Sequence, residues 1–349
     1  TLGRSLIVSA LHAFLDILYG TSLLAVPTLE SAAAEAQKVG FVWVEATPSL
    51  IVGEIKEKAA INKIEAVRTG GFWYGRDGAG AAAGKKAGPN EKIFYHMHGG
   101  GFVMGSAHPS NSSAVACFNS LLEHTGVSRI FALEYRISVA PPFGSEGPFP
   151  AALIDAIAGY RYLVQDVGFL PENIVSGDSA GGSLAHAVVR YFSLYNIPNL
   201  PVPGAFLALS PTVDWGCTHK GPGSSMERNS RSDFVHPIFT SGYTYRALQG
   251  NLPDDEIAQS PWVSPGSLSL ASTKELFAGF PKTCIVSGGA EMTLDPMRTM
   301  KDRMESTIGS ENVTYIEVAG STHDILTQVW HEPERTETLK KIGAWIVSA

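Results

Sequence analysis

From residue 92 onward, short apolar runs alternate with longer stretches that are apolar on one side only. "KIFYHMH", "RIFALEYRI", "NIVSGD", "GAFLALSPTVD", "KTCIVSGG" and "NVTYIEVAG" read as buried strands. Between and after them, residues 109–125, 150–167, 180–195, 296–308 and 333–347 carry apolar positions at helical spacing. Such alternation predicts an α/β chain with a parallel sheet and helices on both faces. Residues 1–60 read instead as helices broken by Pro and Ser, opening on an amphipathic helix. In it, Leu6, Ile7, Ala10, Leu11, Phe14, Leu15 and Leu18 share a face. "INKIEAVRTGGFWYGR" reads as two short strands about a Gly70-Gly71 turn, and residues 77–91 as an exposed Gly/Ala/Lys connection. Residues 215–278 are irregular, rich in Ser, Pro, Gly and aromatics. The N-terminal segment and residues 215–262 do not extend the sheet in this reading. They are expected to pack together as a helical cap, residues 1–60 forming its N-terminal part. Residues 61–349 then form the main domain.

Composition narrows the partners. The 349 residues are 44% hydrophobic and 17% charged, with a net charge of −7. Nucleic acids and anionic membranes select clustered Lys and Arg, so neither is an expected partner. No run of 18 apolar residues exists, and stable membrane insertion is not expected. No basic region precedes the first apolar stretch, so no signal peptide is read and a soluble cytoplasmic location is expected over secretion. Cys117, Cys217 and Cys284 are few and scattered, which predicts free thiols rather than a disulfide framework or a metal site.

Chemistry concentrates in two glycine-rich stretches. Gly177-Asp178-Ser179-Ala180-Gly181 lies between the strand "NIVSGD" and the helix that follows. A serine on a sharp strand-to-helix bend is held in a strained backbone conformation and exposes its hydroxyl at the carboxyl end of the sheet. His98-Gly99-Gly100-Gly101 directly follows another strand. Consecutive glycines cost conformational entropy, which is understandable if backbone amides must turn toward a bound oxyanion. Gly100, Gly101 and Ala180 are the candidate donors. A serine hydroxyl needs a base. Of ten histidines, His323 and His331 follow the last strands. His323 lies in a polar loop and is the candidate base, whereas His331 opens a helical pattern and reads as a solvated surface residue. The orienting acid is expected after "KTCIVSGG". Glu291 comes straight off that strand and is favoured. Asp295 precedes Pro296, reads as a helix N-cap and is the runner-up. His96 and His186 read as core or surface residues. Phe102, Phe143, Trp215 and Phe239 are candidates for lining an acyl or alcohol pocket.

Together, His98-Gly-Gly-Gly, the Gly177-Asp-Ser-Ala-Gly181 bend, "EYRI…PFPAALIDA" and the late acid and histidine resemble the hormone-sensitive-lipase-like branch of α/β-hydrolases. The resemblance spans residues 90 to 349. It implies an eight-stranded, mostly parallel sheet flanked by helices, with a helical cap. It also implies a Ser179–His323–acid triad and an oxyanion hole of Gly100, Gly101 and Ala180, with Asp178 and Tyr135 in supporting roles. Two features depart from the common pattern: the run Glu291-Met-Thr-Leu-Asp295 puts Glu at the acid position, and the link "SVAPPFGSEGPFP" is long. The implied function is a serine carboxylesterase acting on small-molecule esters of short to medium acyl chains, without metal or organic cofactor. A homodimer is one assembly consistent with the resemblance. A non-catalytic ligand receptor on the same scaffold, and an acyltransferase or amidase using the same site, are the alternative readings.

Overall fold

The computed structural model describes residues 10, 27–76, 78, 83–169 and 173–348. An eight-stranded sheet runs through it: β1 Phe41–Val44, β2 Thr69–Gly75, β3 Ile93–Met97, β4 Arg129–Glu134, β5 Asn173–Asp178, β6 Ala205–Leu209, β7 Lys282–Gly288 and β8 Val313–Val318. Spatial order is β1-β2-β4-β3-β5-β6-β7-β8. The pairs β1/β2 and β2/β4 are antiparallel, and the remaining five pairs are parallel. Among the described residues, six helices of ten or more residues accompany it: α1 Gly53–Asn62, α2 Ser112–His124, α3 Ala151–Arg161, α4 Ala180–Leu194, α5 Leu294–Ile308 and α6 Glu334–Ser348.

Strands alternate between two apolar layers, as the period of two requires. Tyr95, Met97, Phe131, Leu133 and Val175 face a layer that includes α3 and α4. Phe94, Ile130, Ala132, Ile174 and Val286 face the opposite layer, with α2 and α6. Burial on both faces is why these strands read as continuous apolar runs.

The first sixty residues differ from the expectation. Phe41–Val44 is an edge strand of the sheet, so this part of the N-terminal segment does extend it. Nor are Gly70 and Gly71 a turn. Both lie inside β2, Gly70 opposite Trp43 and Glu134, Gly71 opposite Val42 and Leu133. Their lack of side chains makes room for rings: a Cβ would fall 2.3 Å from Phe41 at Gly70 and 2.4 Å from Phe131 at Gly71. Apart from residue 10, the helix expected over 6–18 lies outside the described residues.

The link between β6 and β7 contains the short helices Ser225–Arg228, His236–Thr240 and Tyr243–Gln249. It packs on α1. Asn62 donates to the carbonyls of Phe149 (2.6 Å) and Gln249 (3.1 Å), and its Oδ1 accepts from the Asn251 amide. Trp262 donates its indole N–H to Glu54 at 2.8 Å. The three cysteines are free, and no helix among the described residues is long and apolar enough to cross a membrane.

Candidate active site

Four loops leave the carboxyl ends of β3, β5, β7 and β8 and meet over the sheet. The loop after β5 turns at Ser179, whose φ of 53° and ψ of −119° are strained for any L-residue. The turn is tight enough to exclude side chains on either flank. A Cβ on Gly177 would lie 2.2 Å from the Gly181 carbonyl oxygen, and one on Gly181 would lie 2.1 Å from that of Met97. The Ser179 amide donates to Leu209 O at 2.9 Å, and its own carbonyl accepts from Thr212 at 3.0 Å. The bend is thus tied to β6 as well as to its own helix.

The loop after β3 is pinned to the same turn. Asp178 accepts from the Gly99 amide at 2.9 Å and from His96 Nε2 at 2.9 Å. His96 Nδ1 in turn accepts from Ser176 Oγ at 3.0 Å. Tyr135 donates its hydroxyl to His98 O at 2.6 Å and stacks on the His98 ring at 4.2 Å. His98 donates from Nδ1 to Gly99 O, and burial lowers its pKa to about 4, so the ring is neutral. Gly100 and Gly101 carry φ values of 117° and 63°. Their amides and that of Ala180, the first residue of α4, make no hydrogen bond among the described residues. Asp178 and Tyr135 therefore support the turn and the glycine loop through direct hydrogen bonds.

His323 and Glu291 arrive from β8 and β7. His323 Nε2 lies 2.8 Å from Ser179 Oγ, and its Nδ1 lies 2.8 Å from Glu291 Oε2. A carboxylate only accepts, so Nδ1 carries the proton and Nε2 is free to accept from the serine hydroxyl. All three side chains are buried. Glu291 is saturated with donors: Ser210 Oγ (2.7 Å) and the Gly288 amide reach Oε1, and Thr293 Oγ1 (3.2 Å) joins His323 at Oε2. Burial by itself lowers the His323 pKa, but the facing carboxylates of Asp324, Glu291 and Asp233 outweigh it and hold the pKa above its ordinary value.

Asp295 is elsewhere. Thr293 precedes the first turn of α5 and Asp295 lies within it, so it is not the N-cap. Its carboxylate accepts from the Ser225 amide at 2.7 Å and faces Arg228 and Arg298. His331 is also not on the surface. It is 1% exposed, and its Nε2 accepts from Thr322 Oγ1 at 2.8 Å. The helical pattern that opens there begins only at Glu334. His186 is fully buried, bonded to Pro261 O, with its pKa lowered to about 3.

Phe102, Trp215 and Phe239 form one aromatic wall, with ring centroids 5.6 and 6.0 Å apart in turn. Phe143 is not part of it: that ring is 46% exposed and packs on Tyr243. Three polar residues around the relay went unnoticed in the sequence: Ser210, Asp233 and Asp324. Ser210 and Asp324 both have positive φ, at 41° and 54°, which no local motif announces.

The profile of the alpha/beta hydrolase fold family matches residues 94–327. The chain belongs to that family. Among curated members, an acetyl-hydrolase of Streptomyces hygroscopicus is 28% identical over 266 residues, covering 74% of this chain and 76% of that protein. An esterase of Mycobacterium tuberculosis is 26% identical, covering 73% and 77%. Among solved α/β-hydrolase structures, carboxyl esterase 2 of the mycorrhizal fungus Tuber melanosporum aligns with a TM-score of 0.64 at 19% identity, covering 98% of each chain. An esterase from the bacterial hormone-sensitive lipase family aligns at 0.63 and 18%, covering 100% of this chain and 98% of that one. At such identities the structural likeness speaks for the fold, which the eight strands and their order already display.

Proposed function

We propose that this α/β-hydrolase is a serine carboxylesterase acting on small-molecule esters through an acyl-enzyme. One observation carries the reading. Ser179 Oγ, on a strained bend, bonds His323 Nε2 at 2.8 Å while His323 Nδ1 bonds Glu291 at 2.8 Å. In this mechanism His323 takes the hydroxyl proton as Ser179 Oγ bonds the ester carbonyl carbon. The oxyanion is received by the amides of Gly100, Gly101 and Ala180, each such donor being worth about 2.7–4 kcal/mol in hydrolases generally. His323 then gives the proton to the leaving alcohol. Water repeats the sequence on the acyl-serine, with His323 again the base, and releases the acid. Glu291 keeps the imidazole in the required tautomer, and Asp295 has no part in the relay.

The names of the curated relatives, an acetyl-hydrolase and esterases, support an ester substrate. The preference for a short to medium acyl chain rests on the resemblance of the motifs, since Phe102 and Trp215 are buried in the core and Phe239 packs against it. We further assign residues 215–262, backed by α1, to a cap. Ile238 stands over Gly101, 3.4 Å from where a Cβ there would lie, and Phe234 meets the His323 ring at 6.1 Å.

The test is hydrolysis of a chain-length series of p-nitrophenyl esters by the wild type and by Ser179→Ala. The wild type is expected to turn over the shorter chains best. Ser179→Ala is expected to lose about 10⁶-fold in kcat, the scale of nucleophile removal in a comparable triad. Turnover within tenfold of wild type in the variant would refute covalent chemistry at this serine.

A further inference from the structure

The β6–β7 insertion does more than cover the site, because it reaches into the relay from behind. Residues 225–233 are bound to the loop that carries Glu291. Ser225 Oγ donates to Met292 O (2.7 Å) and accepts from the Asp295 amide (3.0 Å). Asn229 Nδ2 donates to Glu291 O (2.7 Å), and Ser232 Oγ to Ala290 O (3.0 Å). Asp233 Oδ2 accepts from the Met292 amide at 2.8 Å. These bonds fix a carboxyl group beside the triad. Single donor atoms of Asp233, Glu291 and His323 all lie within 4.8 Å of one another, and all three residues are buried.

The arrangement does not suit a resident cation, since Glu291 already accepts four hydrogen bonds and His323 Nδ1 donates one of them. Asp233 is different. Its Oδ1 is buried and makes no hydrogen bond among the described residues, although the carboxyl as a whole takes the Met292 amide and is faced by the His323 amide. A buried carboxylate oxygen without a donor, close to a second carboxylate, is costly unless positive charge is near. At pH values above its raised pKa, where the resting ring is neutral, His323 supplies that charge only when it has taken the proton from Ser179. An interaction that strengthens only as the imidazolium forms lowers the barrier rather than the ground state.

We propose that Asp233 is a second acid for His323, delivered by the insertion. It shares with Glu291 the charge that the imidazole acquires, and it holds the ring when Glu291 is lost. Asp233 acts through His323 and is a positioning residue. This rests on the triad reading above. Burial raises the Asp233 pKa, His323 pulls it back, and Glu291 adds to the rise, leaving it at about 6. The carboxyl is therefore ionised over most of the range in which a neutral imidazole can act. The other titratable groups facing the ring are Glu291 and Asp324.

The experiment compares Asp233→Asn, Glu291→Ala and the double variant in single-turnover acylation by p-nitrophenyl acetate, across pH 5–10. Asp233→Asn alone is expected to cost less than about fivefold. Glu291→Ala is expected to cost about 10²-fold, short of the roughly 10⁴-fold loss seen when a sole orienting acid is neutralised. Adding Asp233→Asn to Glu291→Ala should bring the loss to about 10⁴-fold. It should also move the acid-side midpoint of kcat/KM down by about one unit, because removing a facing carboxylate lowers the imidazole pKa. A purely structural Asp233, holding the Met292 and His323 amides, would slow Glu291→Ala further without moving its midpoint. Equal midpoints for Glu291→Ala and the double variant would therefore overturn the proposal, whatever their rates. If circular dichroism shows that Glu291→Ala does not fold, Glu291→Gln takes its place with the same outcomes. Full activity in Ser179→Ala would instead sink the triad reading itself, so the two failures are distinguishable.

Discussion

Around Ser179 the backbone makes the geometry, whereas around Glu291 side chains make it. The serine turn and the glycine loop are fixed by main-chain contacts: Gly177 and Gly181 leave no space for a Cβ, and Asp178 and Tyr135 bond the loop's own amide and carbonyl. The acid side is assembled from separate segments. Ser210 after β6, Asp233 in the insertion, Glu291 after β7 and Asp324 after β8 come together with their polar atoms in contact or nearly so. The first half positions dipoles that do not change during reaction. In the proposed mechanism the second surrounds a ring whose charge does change, and here Asp233 Oδ1 and Asp324 Oδ1 are buried and make no hydrogen bond among the described residues. In that mechanism a rigid half and an electrostatically loaded half would divide the work: one would receive the developing oxyanion, the other the developing imidazolium.

Beyond the Ser179, Glu291 and Asp233 variants already described, the largest expected effect comes from breaking the rigid half. Gly181→Ala places a methyl group 2.1 Å from Met97 O and near His98 O at 2.5 Å, both backbone atoms that cannot swing aside. Turn and glycine loop must then separate, taking the hydroxyl away from the amides of Gly100 and Gly101. A loss of roughly 10³-fold or more in kcat/KM is expected, the scale of removing an oxyanion donor. The cost in stability should be about 1–3 kcal/mol, typical of overpacking. Ester hydrolysis and thermal melting of the same sample check both. Wild-type kinetics would show that the tight approach is not what sets the site.

This division also explains what could be read from the sequence. Ser179 and the His98-Gly-Gly-Gly run are legible because a backbone constraint must be written locally, in glycines beside a strand. Glu291 and His323 are legible by their place after late strands. Ser210, Asp233 and Asp324 are not, since each is an ordinary polar residue until three other loops arrive beside it. The same limit misled the reading of the N-terminal part. Gly70 and Gly71 resemble a turn because the rings that fill their space, Phe41 and Phe131, lie on other strands. His331 resembles a surface residue because its partner, Thr322, sits across a loop rather than along the helix.

The loaded half is probed by pH. Asp324, Glu291 and Asp233 together raise the His323 pKa above its ordinary 6.5 against the opposing effect of burial. Only the neutral ring can take the serine proton, so activity is present above that raised pKa and lost as pH falls through it. The acid-side midpoint of kcat/KM is expected above pH 6.5, giving an alkaline optimum. Burial and the neighbouring carboxylates hold the Asp324 pKa well above its ordinary value, so it faces the ring with a charge only towards alkaline pH. Replacing it by Asn should shift an alkaline midpoint downward, while the kcat plateau at high pH changes little. A wild-type midpoint below 6.5 would show that the carboxylates around the ring are neutral or compensated.

The smallest effect is expected at the rim of the same half. Asp295 lies only four residues after Glu291 in sequence, yet it serves the insertion rather than the ring. Its carboxylate accepts from the Ser225 amide at 2.7 Å, while Arg228 and Arg298 stand 3.8 and 3.7 Å away with nearly half of each side chain exposed. Long, solvent-screened pairs of this kind contribute about 0–1 kcal/mol. Asp295→Asn keeps an oxygen for the Ser225 amide, so kcat should stay within about threefold of wild type, equivalent to less than about 1 kcal/mol. Arg228→Ala, which removes a cation and leaves the amide contact intact, should change even less. Glu291→Ala in the same assay falls by orders of magnitude if the relay runs through Glu291. Should Asp295→Asn be the more damaging of the two, the acid would belong to α5 and not to the loop after β7. The four hydrogen bonds that Glu291 accepts would then be structural alone.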